Sequence, residues 1–132
     1  MGITSARMPV SKAIISTTST ADSTPKSLIA VNAKVESSFT FEVSKIITGT
    51  VQVAVNTTSG SGTRSLWSVR VSNDGLNFSA LTPELTLSAG GITDIIDLTG
   101  FMYMQVSNAS ANGGAVSTYT TETVNIVVCT QT

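Results

Sequence analysis

The sequence has no histidine, a single cysteine and few charged residues. Histidine is the side chain that most often acts as a general base or a metal ligand near neutral pH, so its absence disfavours most acid–base and metal-dependent chemistry. Cys129 has no partner for an internal disulfide, and charged residues supply only 11% of the chain. We therefore expect no catalytic residue, no cofactor and no metal site, and interpret the protein as not being an enzyme.

An excess of positive charge and long apolar segments are also missing. The formal net charge of −1 provides no basic field that would attract nucleic acid through its phosphates. No apolar segment approaches the length that is needed to cross a membrane. We expect neither nucleic acid nor a membrane as a partner.

Hydroxyl side chains dominate what the chain does contain. The sequence has 19 Ser and 21 Thr, together 40 of 132 residues. Threonine and valine are branched at Cβ and fit a pleated strand, whereas straight-chain helix formers are scarce here. The composition predicts an all-β protein whose polar surface carries hydroxyls rather than charges.

Alternation of apolar and polar residues marks the strands. The clearest runs are Val51 to Val55, Trp67 to Val71 and Val124 to Val128, in which every second residue is large and apolar. No amphipathic helix separates the runs, so the pattern predicts an antiparallel β-sandwich that is jelly-roll-like, with a small barrel as the alternative. About eight strands are expected, over 28–36, 39–43, 51–55, 67–72, 85–87, 92–98, 101–106 and 117–130.

Residues 1–27 differ from the rest of the chain because they are polar and rich in Ser and Thr. They predict an extended N-terminal arm, and residues 28–132 predict the sandwich domain. The apolar residues of the arm would either add a strand to the sheet edge of a neighbouring subunit or complete the sheet of their own chain. These candidates for contact between subunits are Met8, Val10, Ile14 and Ile15.

The segment Asn73-Asp74-Gly75 predicts a hairpin turn, because Asp-Gly supplies the positive φ values of a tight turn. A single carboxylate at this turn is too few for calcium, which takes about six or more oxygen ligands. Asp94 and Asp97 are three residues apart, and such a pair points to opposite faces of a strand. We therefore interpret both as solvated edge or turn residues rather than as a catalytic pair.

The seven aromatic residues allow two interpretations. Trp67 is in phase with Val69 and Val71, which favours a place in the core. Tyr103 and Tyr119 are candidates for exposure. A saccharide-binding surface would show exposed aromatic rings beside Asn, Asp or Gln in a groove.

The segment LWSVRVSNDGLNF, Leu66 to Phe78, followed by DLTGFMY at 97–103 and a threonine-rich C-terminal strand, resembles small virion proteins of tailed bacteriophages. The resemblance implies a β-sandwich that decorates or cements a capsid, binding and stabilising the head shell. The implied partners are the major capsid protein and copies of the chain itself, as a homotrimer. The implied location is the capsid surface of the virion, after synthesis in the host cytoplasm. The alternative is a tail or fibre module that recognises a surface glycan.

Overall fold

The structure, a computed structural model, describes residues 6–9, 14–17, 27–88 and 90–131. These residues form ten strands and one turn of 3-10 helix at Ser110–Asn112, without any α-helix, so the prediction of an all-β protein is confirmed. The strands are β1 (Ala6–Pro9), β2 (Ile14–Thr17), β3 (Ser27–Asn32), β4 (Ser38–Glu42), β5 (Thr48–Ser59), β6 (Leu66–Ser72), β7 (Ser79–Ser88), β8 (Ile96–Asp97), β9 (Tyr103–Ser107) and β10 (Thr121–Gln131).

Eight of these strands form two four-stranded antiparallel sheets. One sheet has the order β3-β10-β5-β8 and the other has the order β4-β9-β6-β7. The chain changes sheet at every connection from β3 to β10 except the one between β6 and β7, which are neighbours in the same sheet. This strand order in two packed sheets is that of a jelly roll. The predicted antiparallel, jelly-roll-like sandwich is confirmed.

The core lies between the two sheets and contains the residues that the alternation places inward. Val124, Ile126 and Val128 of β10 are fully buried, and so is Trp67 of β6. The indole N–H of Trp67 donates to Ser65 Oγ at 3.0 Å, which satisfies the one polar atom that the ring brings into the core. The placement of Trp67 in the core is confirmed.

β8 is much shorter than the predicted strand over 92–98. Within that run Ile92 and Ile95 are exposed, while Thr93 is buried and its Oγ1 accepts the N–H of Val51 at 2.9 Å. A strict alternation would place Ile92 on the same face as the buried Ile96 and Leu98, but the hydrogen bond to β5 turns Thr93 inward instead. Regular pairing with β5 is resumed only at Ile96.

β7 is longer than the predicted run over 85–87 and contains an irregularity. Its pairing with β6 shifts between Val69 and Arg70, so that residues 81–84 are skipped in the register. Pro83 lies in this bulge, and a proline lacks the N–H that regular pairing needs. The bulge therefore lets the strand continue through a proline.

Within the predicted N-terminal arm, β1 and β2 pair with each other, with Met8 opposite Ile15 and Pro9 opposite Ile14. β1 lies beside β4 and β2 lies beside β3, which are the edge strands of the two sheets on one side of the sandwich. The hairpin thus lies along the edge of the sandwich that β3 and β4 of its own chain form. Val10 is outside the described residues, and contact of this segment with a neighbouring subunit stays a prediction.

The connections between strands gather at the two ends of the sandwich, because successive strands run in opposite directions. We call one the Asn108 end, formed by residues 33–37, 60–65 and 108–120, and the other the Asp74 end, formed by residues 43–47, 73–78 and 98–102.

At the Asn108 end, a buried asparagine side chain holds the connection that carries the chain from one sheet to the other. Asn108 Oδ1 accepts the N–H of Ser37 at 2.7 Å, and Asn108 Nδ2 donates to the carbonyl of Val35 at 3.1 Å. The backbone N–H of Asn108 also donates to the carbonyl of Ser37 at 3.1 Å. The two connections are therefore fastened together although they lie far apart in sequence.

A buried carboxylate holds a second connection at the same end. Glu122 Oε1 accepts the backbone N–H of Ser65 at 3.1 Å and its hydroxyl at 2.8 Å, and Ser65 in turn accepts the indole N–H of Trp67. Glu122 Oε2 is buried and has no hydrogen-bond partner among the described residues. The bonds between Glu122 and Ser65 therefore join the start of β10 to the start of β6.

Candidate binding surface at the Asp74 end

The three connections of the Asp74 end are joined by backbone hydrogen bonds. The N–H of Val43 donates to the carbonyl of Met102 at 2.8 Å, and the N–H of Leu98 donates to the carbonyl of Ile47 at 2.8 Å. The N–H of Met102 donates to the carbonyl of Ser72 at 3.2 Å. The three connections are therefore held together at this end although they are distant in sequence.

The connection between β6 and β7 is organised by the carboxylate of Asp74. Asp74 Oδ1 accepts the N–H of Leu76 and the N–H of Asn77, each at 2.8 Å, and the hydroxyl of Ser72 at 2.9 Å. Asp74 Oδ2 accepts Asn77 Nδ2 at 2.8 Å. Ser72 Oγ accepts the N–H groups of Asp74 and Gly75. The side-chain bonds that hold the turn therefore all lie within residues 72–77.

These bonds also set the charge state of the turn. The N–H of Asn77, with its side-chain amide, holds the pKa of Asp74 well below the usual range, and Leu76 and Ser72 act in the same direction. Asp74 is therefore a fixed negative charge whose oxygens point in defined directions.

The turn is longer than the tight turn that is predicted at Asn73-Asp74-Gly75. Six residues, 73–78, connect the strands, and Gly75 has a φ of 75° whereas no residue other than glycine has a positive φ in the described part of the chain. A Cβ atom at Gly75 would lie 3.3 Å from the ring of Tyr103. The aspartate side chain takes over the hydrogen bonding that a two-residue turn would make between the strands.

Asp94 and Asp97, which the sequence places at an edge or a turn rather than in a catalytic pair, are both exposed. Asp97 closes β8, and its Oδ1 accepts the N–H of Thr99 at 2.9 Å, which lowers the pKa of Asp97. Asp94 is exposed on the segment before β8. Each lies at an edge or a turn.

Large apolar side chains are exposed at this end. Leu76 is 84% exposed, Ile47 52% and Met102 41%, and each comes from a different one of the three connections. Large exposed apolar side chains on neighbouring connections are candidates for contact with a partner. The Asp74 end therefore presents apolar groups around a rigid, charged turn.

A cavity of about 300 Å³ opens beside the Asp74 turn. Phe101, from the connection between β8 and β9, brings apolar surface to it, and Phe101 is half-buried against the core. The cavity is lined by Val71, Ser72, Asn73, Asp74, Asn77, Ser79 and Phe101. The sequence interpretation treats Asn73 and Asp74 as turn residues only and does not include Phe101, because the cavity exists only where two connections meet.

The two tyrosines are both half-buried. Tyr119 lies at the Asn108 end, where its carbonyl accepts Lys34 Nζ at 2.7 Å and its ring lies 5.6 Å from the guanidinium carbon of Arg64. Tyr103 covers Gly75 at the opposite end. The structure therefore does not bring the two rings together as one stacking platform.

The residues that the structure describes bring no three His, Cys, Asp or Glu side chains together in a group that could hold a metal ion. They also contain no helix of the length and apolar character that a membrane crossing requires. Cys129 lies half-buried on β10.

Comparison with known proteins gives few matches. No protein-family profile matches the chain, and no curated protein matches it. Among solved structures, the chain is similar to the crystal structure of SPBc2 prophage-derived protein YomS, with a TM-score of 0.46 and 16% sequence identity. The match covers 77% of this chain and 93% of that one.

Proposed function

We propose that the chain is a structural protein of a bacteriophage virion, without catalytic activity, and that it decorates or cements the head shell. It binds the major capsid protein on the outside of the capsid and associates with copies of itself as a homotrimer, after synthesis in the host cytoplasm. Support comes from the resemblance of residues 66–78 and 97–103 to small virion proteins, and from the jelly-roll order of the strands, a fold that is frequent in capsid and lectin domains.

The observation that carries the proposal is the apolar surface of the Asp74 end. Leu76, Ile47 and Met102 are exposed on three connections that backbone hydrogen bonds hold together. Exposed apolar groups on a fixed backbone lose little conformational entropy when a partner covers them. This surface is therefore suited to docking on a shell.

Low charge and the many copies on a shell also favour the decoration role. Neutral hydroxyl groups are desolvated at a lower cost than charges when they enter an interface. A shell offers many identical sites, and trimers that bind through several weak contacts gain from a high effective concentration. In the proposed trimer, the β1–β2 hairpin with Met8, Ile14 and Ile15 contacts the neighbouring subunit.

Binding to head shells tests the proposal directly. Heads assembled without the protein are mixed with the purified full chain and sedimented, and the bound copies are counted by quantitative mass spectrometry. We expect saturation at a fixed ratio to the major capsid protein. Saturation at a few copies for each particle would contradict the decoration role and favour the tail.

Two substitutions locate the docking surface. Leu76→Ser is expected to weaken shell binding about tenfold or more, as the loss of a central apolar contact does in other interfaces. The matched control is Val35→Ser, which removes a side chain that is 56% exposed at the Asn108 end. Equal binding by both variants would show that the Asp74 end is not the docking surface.

A further inference from the structure

The cavity beside the Asp74 turn combines an aromatic side chain with a ring of amide, hydroxyl and carboxylate groups. We propose that it is a carbohydrate site that takes one pyranose ring of a neutral sugar. The inference does not depend on whether the protein lies on the head or the tail, and it concerns a different set of side chains from the apolar docking surface.

The lining matches the two faces of a sugar ring. The C–H face of a pyranose packs on an aromatic or aliphatic surface, which Phe101 and Val71 provide. Its hydroxyl groups need partners that both donate and accept hydrogen bonds, and the side chains of Asn73 and Asn77 do both. A few polar groups converging on an apolar wall are typical of small-molecule sites.

Several of these polar groups have hydrogen-bonding capacity left over. The amide of Asn73 and the hydroxyl of Ser79 are exposed and form no hydrogen bond with any other described residue. Asp74 Oδ2 accepts a single bond, from Asn77 Nδ2, and a carboxylate oxygen can accept two. A ligand with vicinal hydroxyls can therefore bind without breaking the bonds that hold the turn.

The turn keeps these groups in place before a ligand arrives. The carboxylate of Asp74 is held by three neighbouring residues, Ser72, Leu76 and Asn77. Groups that are already ordered lose less entropy on binding, which compensates for the small contact area of a single sugar.

Charge and size narrow the ligand class. The negative charge of Asp74 disfavours uronic or sialic acids, because none of the residues that line the cavity is a lysine or arginine that could offset it. A volume of about 300 Å³ is at the lower limit of small-molecule pockets. It suits one ring of a longer glycan rather than several.

Nuclear magnetic resonance titration of the 15N-labelled full chain tests the proposal. Glucose, galactose, mannose and N-acetylglucosamine are added separately, with glucuronic acid as the charged comparison. We expect saturable shifts at the amides of residues 72–79 and 101 with at least one neutral sugar and weaker shifts with glucuronic acid. No saturable shift with any neutral sugar, or stronger binding of glucuronic acid, would overturn it.

Substitutions then assign the contacts. Asn73→Ala and Phe101→Leu are each expected to weaken sugar binding about fivefold to tenfold, through loss of a hydrogen bond and of an aromatic face. Asn73→Ala removes a side chain that holds nothing in the fold, so it remains informative if Phe101→Leu destabilises the protein. Unchanged sugar binding by Asn73→Ala would contradict the site.

Measuring both variants in both the sugar-binding and the shell-binding experiment separates this inference from the proposed function. Leu76→Ser is the control that should keep sugar binding while losing shell binding, and Asn73→Ala should do the opposite. Sugar binding without any shell binding would leave the cavity assignment intact and contradict decoration alone. Shell binding without sugar binding would contradict the cavity assignment alone.

Discussion

The two ends of the sandwich use polar side chains in different ways. At the Asn108 end, buried groups bond across long distances in sequence, as Asn108 does with Ser37 and Glu122 with Ser65. At the Asp74 end, the side-chain bonds of Asp74 connect residues that are two or three positions apart, and they lie at the surface. The buried bonds of the Asn108 end thus join segments that are distant in sequence, whereas the bonds of the Asp74 end order a single turn at the surface, where a partner can reach it.

The largest expected effect comes from breaking the Asn108 end. Asn108→Ala removes the acceptor of the Ser37 N–H and the donor to Val35, and buried groups left without partners should lower the free energy of unfolding by about 3 kcal/mol. Urea denaturation measures the loss. The control is Asn125→Ala, which removes the bond to Asn56 Oδ1 at the surface and should cost less than about 1 kcal/mol. Equal losses would remove the distinction between the two kinds of bond.

The second prediction concerns the buried carboxylate. Glu122→Ala leaves the N–H and hydroxyl of Ser65 without their acceptor, and we expect a loss of about 2–3 kcal/mol in urea denaturation. Glu122→Gln keeps an oxygen in the Oε1 position and should stay within about 1 kcal/mol of the wild type. A loss for glutamine as large as that for alanine would show that the charge, rather than the acceptor, is what the Asn108 end needs.

The third prediction tests how rigidly the Asp74 end is built. Gly75→Ala places a side chain at a positive φ and against the Tyr103 ring, with an expected cost of about 2 kcal/mol. Gly100 also has a positive φ, of 90°, but a Cβ there meets no atom within 4 Å. Gly100→Ala should therefore cost only about 1 kcal/mol, and the difference between the two, from thermal or urea unfolding, measures the contact with Tyr103. Equal costs would show that Tyr103 moves freely.

The smallest expected effect is a pH dependence. Because the pKa of Asp74 is lower in the folded protein than its ordinary value of 3.8, its stabilising contribution is complete above that pH and is lost as the pH falls through the folded value. Urea denaturation over a series of acidic pH values should show a shallower decline for Asp74→Asn than for the wild type. Asp94→Asn is the control, since it removes an exposed carboxylate outside the turn. An unchanged decline in Asp74→Asn would contradict the role of the turn.

The sequence predicts the sandwich and its inward faces because these depend on local alternation. Val124, Ile126 and Val128 are buried as the period of two requires. The strand order could not be predicted, since pairing partners such as β10 and β5 are separated by some sixty residues and no local pattern specifies their register.

The candidate site was predicted only in part, for a similar reason. Asn73 and Asp74 carry a recognisable turn signal, but Phe101 reaches the cavity from another connection, so only the packing of the two connections brings these residues together.

Glu122, at the opposite end of the sandwich, did carry a signal that was missed: it lies two residues before Val124, in phase with it, on the buried face of β10. A charged residue in the inward phase of a strand indicates a buried polar contact.

The central position of β10 has a consequence for biosynthesis. β3 and β5 flank β10 in the finished sheet, but both leave the ribosome long before Thr121–Gln131 is translated. Until then, each exposes an unpaired backbone edge that can bind another nascent chain. Chains on neighbouring ribosomes are therefore at risk of pairing with one another, and folding of this sheet has to follow, rather than accompany, translation of β10.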